Sequence, residues 1–548
     1  MRIFSKHFKS IMVGIMLPLL AVVLTACGQN NSTNDSRTTL NLSYATPIST
    51  MDNSKANDAA SLTMLNHTGD GLYRNGANGA STPALATKQT VSKDGKTYTF
   101  DIRKNVKWKD GSSVTAHDFV YAWRRTANPK TAAQYGYLYN QIQNYSAIQS
   151  GKMKPSSLGV SAEGDYKLVV HLEKPVPYFT KLLAFPVFFP QEQKFVEKYG
   201  NKFGTNSNTT NSDGPFILKG WSGTNDTWQL VKNPNYWDKK NVHVNKINLQ
   251  VISDPTTSLK LFDQNKLDST PLNGTQVANY RHNKAFRSYI GGATVYMLTN
   301  EQRLSIFKNQ DARKALSLAI NRKALVSDVL RDGSVTPDGF IPTKLDDFKV
   351  SGTNQNFKQL SAYPQGVAYN LTEAKQLWQS ALAASGKKSL TVNLTTDDDY
   401  TTKQVAEFLQ SQLSKLPGLK VNLSNIPNKV RMSRQDNGNF DIVLTKWGAD
   451  FNDPTNFLDL MTTNSTFNFG KWSNSQYDQL VNNANNRDAN NPKQRAMDMA
   501  NAEKILMREQ GVIPVYEPAT TELWNTNVKG YVWSPTGMSR NWKEISIK

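Results

Sequence analysis

Cysteine is nearly absent: the chain has 548 residues and one cysteine, Cys27. No internal disulfide is possible, so the fold must stand on its own core, which a chain of this length can build. Histidine is scarce too. Beyond the first 26 residues His67, His117, His171, His243 and His282 are scattered, with no two at metal-ligand spacing. There is no Walker loop, no Gly-x-Ser-x-Gly and no His-Glu-x-x-His. These gaps argue against an enzyme and against a resident cofactor or metal. Asp397-Asp398-Asp399 is an acidic run between a strand-like and a helix-like segment, where helix-start carboxylates are the simpler reading. Past residue 26 no stretch approaches ~18 consecutive apolar residues, so no helix there spans a membrane. Acidic residues are in deficit, 44 against 64 Lys and Arg, leaving +20. The excess cations are spread out, with no dense basic run and no nucleic-acid motif. DNA or RNA is therefore not the expected counterpart; with the export signal that follows, an anionic cell envelope is.

What the first residues do hold is an export signal. Arg2, Lys6 and Lys9 precede an apolar run, 11–24, broken only by Gly14 and Pro18. It is too short for a comfortable transmembrane helix and suits a signal-peptide core. Leu24-Thr25-Ala26-Cys27 resembles the lipobox of bacterial lipoproteins, in which the leader is cut before the cysteine and the cysteine is acylated. That resemblance implies a signal peptide over 1–26, lipidation at Cys27, and a polar tether over 27–36 holding an extracytoplasmic body to the outer face of the cell membrane.

Strand-like and helix-like patterns alternate through the rest. Residues 97–102 place Tyr98, Phe100 and Ile102 at every second position, as a half-buried strand does, and 167–172, 247–251 and 391–394 are similar. Residues 311–330 carry an apolar stripe at helical spacing, 405–416 repeats it, and Asn491-Pro492 opens a further helix. The mixture predicts an α/β (mixed α+β) protein in more than one lobe.

Several motifs together resemble the large solute-binding proteins of ABC importers for oligopeptides. They are Tyr98-Thr99-Phe100-Asp101-Ile102 running through Trp108-Lys109-Asp110-Gly111 to Trp123-Arg124-Arg125; Asp213-Gly214-Pro215-Phe216; Asn233-Pro234-Asn235-Tyr236-Trp237; Ala312 to Arg322; and Trp447-Gly448-Ala449-Asp450-Phe451-Asn452-Asp453-Pro454. The resemblance implies a two-lobed periplasmic-binding-protein-like fold with an extra domain on the first lobe. By motif position, lobe one is 37–69, 195–297 and 515–548, the extra domain is 70–194 and lobe two is 298–514, with hinge crossings near 297 and 514.

The resemblance also implies a site. Asp450 meets the ligand's α-ammonium, Lys446 and Gly448 pair with its backbone, Tyr135 and Ala59 contact it, and Trp447 supports the strand. Asn452-Asp453-Pro454 makes Asp453 the structural carboxylate. A relative that favours very short peptides has Arg six positions before the Asp, where this chain has Leu444, so the ligand's carboxylate needs another partner. Implied partners are an oligopeptide, a permease with its ATPase subunits, and the membrane through Cys27, with the protein acting as a monomer. A peptide-pheromone receptor, or a binder of a metal chelate or haem on the same fold, is the alternative.

Overall fold

Tyr98, Phe100 and Ile102 are buried on one face of Thr97–Ile102, which is the strand its alternation implies. The computed structural model describes residues 37–345 and 348–548; Cys27, the leader and the tether lie outside the described residues. Thr97–Ile102 is an inner strand of an antiparallel sheet, ordered Ala86–Val91, Thr97–Ile102, Lys167–His171, Val160–Ala162. Gly111 turns the chain at φ +94°, a conformation that favours glycine. Thr115 then opens helix Ala116–Ala127, its N–H donating to the Asp118 carboxylate at 2.8 Å. The helix drives Phe119 and Trp123 into the core.

A second four-stranded sheet runs Thr39–Tyr44, Lys246–Val251, Thr227–Lys232, Phe216–Lys219. One continuous hydrophobic core joins this sheet to the first and takes in Trp542 and Ile545 near the C-terminus. His67 belongs to that core and not to the surface. Its Nε2 accepts the Trp542 N–H at 2.8 Å and its Nδ1 donates to the Thr63 carbonyl at 2.7 Å. Burial keeps the ring neutral, lowering its pKa to about 3.

The other lobe is built on a five-stranded sheet, ordered Leu419–Ile426, Leu390–Asp397, Ile442–Gly448, Ala293–Thr299, Ile513–Tyr516. Apolar cores cover both of its faces. Met297, Ile442 and Leu444 point into one, while Tyr296, Leu298 and Val443 point into the other. The helical stripe at 311–330 is not one helix. Gln310–Leu318 ends, Asn321 caps a new turn by accepting the Ala324 N–H at 3.0 Å, and Leu325–Leu330 continues as a wider helix. Between the two, the buried Arg322 guanidinium donates to the carbonyls of Pro514, at 2.8 Å, and Ser317, at 3.1 Å; those bonds hold the interruption in place.

A three-stranded sheet, Ser269–Pro271, Ala519–Trp524, Phe286–Ile290, joins the lobes in sequence. The chain leaves it at Gly291-Gly292 to enter the five-stranded sheet and returns through Glu517-Pro518. The positions 297 and 514 expected for the crossings fall within Ala293–Thr299 and Ile513–Tyr516. A side chain at Gly292 would have its Cβ 2.5 Å from Leu345 Cδ1 and 3.0 Å from the Pro535 carbonyl, so this passage needs glycine.

Candidate functional site

Strand Ile442–Gly448 is paired along its whole length on one side only. Ala293–Thr299 matches it from Ile442 to Gly448, but Leu390–Asp397 lies opposite only Ile442 and Val443. Peptide groups alternate sides along an antiparallel strand. The Ala449 N–H donates to the Gly292 carbonyl at 2.8 Å, and the Asp441 carbonyl accepts from Asn300 N–H at 3.0 Å. Odd-numbered residues therefore turn their peptide groups toward Ala293–Thr299. Leu444, Lys446 and Gly448 turn theirs to the other edge, where the ladder has already ended. A cavity of about 730 Å³ lies along that edge, with Leu444, Thr445, Lys446 and Trp447 in its wall. At Gly448 a Cβ would meet only the Ala293 Cβ at 3.9 Å, so packing does not require glycine there; its absence leaves the peptide group open to close approach.

The turn after this strand carries two aspartates with different surroundings. Asp453 is buried and takes both arms of Arg495, at 2.8 and 2.9 Å, while also accepting from Thr455 N–H and Oγ1. Burial works against its charge, but the Arg495 guanidinium prevails and holds the carboxyl at about 2. Asp450 accepts one hydrogen bond, from the Tyr137 hydroxyl at 2.7 Å. Among the described residues no cation pairs with it. Burial raises its pKa, and the Tyr137 bond pulls the other way.

Tyr137 comes from the other lobe, and it is not alone there. Phe451 stacks on Tyr178 at 4.5 Å and 11° and packs against the first lobe's core. Lys181 donates to the Asn452 carbonyl, and Asn490 donates to the Asp94 carbonyl at 3.1 Å. The lobes thus touch at Asn490 and again at the Asp450 turn. A smaller cavity of about 170 Å³ opens beside it, and Trp447 and Phe467 stand in the walls of both cavities. Trp447 is held by its Nε1 donating to Asn456 Oδ1 at 2.9 Å and by edge contact with Phe467 at 5.0 Å.

Residues 81–469 match the description of bacterial extracellular solute-binding proteins, family 5. The chain belongs to this family. It is 34% identical over 558 aligned positions to a dipeptide-binding protein of Lactococcus lactis, covering 99% of this chain and 100% of the relative. It is similar to the structure of Listeria monocytogenes OppA bound to peptide, at 36% identity and a TM-score of 0.77, over 93% of this chain and 99% of the other. The pheromone receptor PrgZ is similar too, at 33% identity and a TM-score of 0.77, over 93% of this chain and all of the other. The fold is the two-lobed α/β fold of the peptide-binding members. Family 5 proteins are extracytoplasmic binding proteins rather than enzymes. Among the described residues no helix is long and apolar enough to cross a membrane.

In this family 5 protein the residues singled out from sequence fall in two groups. Lys446, Trp447, Gly448 and Asp450 sit together along the open edge and its turn. Tyr135 is close by: its ring packs on Phe185 at 4.8 Å and on Tyr137 at 6.0 Å, and burial together with the Asp450 charge pushes its phenol up to about 12. Ala59 stands apart at the exposed start of helix Ala59–Thr68, its carbonyl accepting from Tyr44 Oη at 3.2 Å. Two residues earlier, Asn57 donates to Gln134, beside Tyr135. Sequence reasoning missed Tyr137, which bonds Asp450, and Phe467 and Arg431, which stand in the wall of the larger cavity. Tyr137 was within reach, in the run Tyr135-Gly136-Tyr137-Leu138-Tyr139. Arg431 was one of 64 cations with no local mark.

Proposed function

We infer that this protein captures oligopeptides between its two lobes and delivers them to an ABC importer. The observation that carries this is the open edge at Lys446 and Gly448 ending on Asp450, a carboxylate with a hydroxyl partner and no cation. An extended peptide added to that edge satisfies its backbone against the strand, as in β-strand addition, and brings its α-ammonium to Asp450. The charge-assisted hydrogen bonds that form there are worth about 1.5–3 kcal/mol each. Side chains then project into a roomy cavity, which suits a binder tolerant of sequence. Tyr135 and Ala59 contribute from the first lobe, and Trp447 braces the strand.

Gly291-Gly292 and Glu517-Pro518 serve as the hinge. Ligand favours closure only through contacts made with both lobes, and the Asp450 turn is one element that meets the opposite lobe. The chain catalyses nothing. It acts as a monomer on the outer face of the cell membrane, anchored by lipid on Cys27, and the tether raises its effective concentration at a permease with ATPase subunits. Cys27→Ser is expected to release it from the membrane fraction.

A pheromone receptor that hands its peptide to an importer is the second reading, favoured by the similarity to PrgZ. Native mass spectrometry of co-purified ligand separates the two: a mixed set of peptides supports nutrient capture, one defined peptide supports signalling. The peptide reading itself is tested by calorimetry. Free-amine peptides are expected to bind at least tenfold more tightly than their N-acetylated forms, and equal affinity would remove Asp450 from the site.

A further inference from the structure

With Leu444 buried in the apolar core, the large cavity needs another group to face a carboxylate. Arg431 qualifies by geometry. It lies on helix Asn428–Asp436, is 7% exposed, and stands in the cavity wall beside Thr445. Its Nε donates to Asp397 Oδ1 at 2.7 Å, and Nη1 donates to Gln435 Oε1 at 2.6 Å and Thr445 Oγ1 at 3.1 Å. Those three bonds use three of the guanidinium's five N–H groups. The two on Nη2 have no partner among the described residues, yet Nη2 is not sealed from solvent. A guanidinium held through Nε and Nη1 is already ordered, and it can donate to an anion from Nη2 alone, because both two-nitrogen forks have one member taken.

Other charges share the cavity. Asp397 is committed to Arg431 and to Asn428, whose Nδ2 donates to it at 3.1 Å. Asp399 caps helix Tyr400–Leu413, accepting the Thr402 N–H at 3.1 Å. Asp399 and Asp436 are exposed, where water screens them, and Lys446 adds a cation on the same wall. Arg431 is therefore the buried charge in this wall with hydrogen-bonding groups to spare.

We propose that Arg431 anchors a carboxylate of the bound peptide, either its terminal carboxylate or an Asp or Glu side chain; this rests on the peptide-binding reading above. The Cα atoms of Asp450 and of Thr445, to which Arg431 donates, are five residues apart and so lie within roughly 18 Å of each other, a length comparable to a five-residue extended peptide. The terminal carboxylate of tetra- or penta-alanine falls within that span.

The experiment is calorimetry with penta-alanine, its C-terminal amide, and that amide carrying one internal aspartate. The proteins are the wild type, Arg431→Gln, and the double variant Asp397→Asn/Arg431→Gln, which leaves no buried carboxylate unpaired. If the terminal carboxylate is the source, the wild type prefers the free acid tenfold or more and both variants lose the preference. If a side chain is the source, amidation costs nothing, and the aspartate-bearing amide gains tenfold in the wild type alone. Either preference surviving in the double variant, or a wild type that prefers neither the free acid nor the aspartate-bearing amide over the plain amide, overturns the proposal. Failure of all three peptides to bind would instead bring down the peptide reading.

Discussion

Asp450 and Asp453 stand three residues apart in one turn and do opposite work. Asp453 is closed off: two arms of Arg495 and the Thr455 cap use its oxygens, so the pair ties the turn to helix Pro492–Glu509. Asp450 has one hydroxyl from the opposite lobe and an open strand edge beside it. A carboxylate whose charge is matched within its own lobe builds structure. One that is desolvated but unmatched is poised for a ligand cation. The turn thus holds, three residues apart, one carboxylate paired inside its own lobe and one bonded to a hydroxyl of the other lobe, and the first pins the turn that carries the second.

Breaking the anchor is expected to give the largest effect. Arg495→Ala leaves Asp453 buried without its partner and should cost about 3–5 kcal/mol in denaturant unfolding. Asp450→Asn should leave the unfolding midpoint nearly unchanged; an equal loss in both would erase the distinction.

Acid and base sharpen it next. Asp453, held at about 2 against an ordinary 3.8, contributes stability that is complete above pH 4 and is lost as pH falls toward 2. Glu503 runs the other way. It is buried, accepts the Phe340 N–H at 2.6 Å, and burial pushes it up to about 7 from 4.5. The unfolded chain ionises first, so the fold loses stability as pH rises from 4.5 to 7. Glu503→Gln should remove that loss, on the order of 3 kcal/mol by pH 8, as read from melts across the pH series.

Ligand binding tests the other aspartate. Asp450→Asn is expected to weaken free-amine peptides at least tenfold, about 1.4 kcal/mol, and to spare N-acetylated ones. The smallest effect belongs to Tyr137→Phe. It removes one hydrogen bond to Asp450, worth about 1 kcal/mol, and should weaken free-amine peptides about fivefold while leaving the melt unchanged. If Tyr137→Phe instead binds more tightly, the hydroxyl competes with the ligand for Asp450.

Local patterns in the sequence carried over well where the physics is local. Alternation of Tyr98, Phe100 and Ile102 marks a strand because a pleated chain has period two, and Asn491-Pro492 marks a helix start, with Asn491 Oδ1 accepting the Gln494 N–H at 3.2 Å. The stripe at 311–330 misled because helical spacing persists across Asn321, while the break is imposed by Arg322 reaching the Pro514 carbonyl 192 residues away. His67, one of five scattered histidines past residue 26, is buried where Trp542 returns from the C-terminus to meet it.

Two things were settled by the sequence itself. The motifs determined the family and with it the two-lobed fold, because chains similar along their whole length share a backbone fold. The run Trp447 to Pro454 also determined which turn carries the two aspartates. Only the tertiary structure decided which aspartate is free, since that depends on Arg495 and Tyr137, 42 and 313 residues distant. It alone showed that the strand edge at Lys446 and Gly448 is unpaired on one side, and that Arg431 stands in the cavity wall with Nη2 lacking a partner among the described residues. Charge pairing and edge exposure are set by what arrives from elsewhere in the chain, and no local spacing records that.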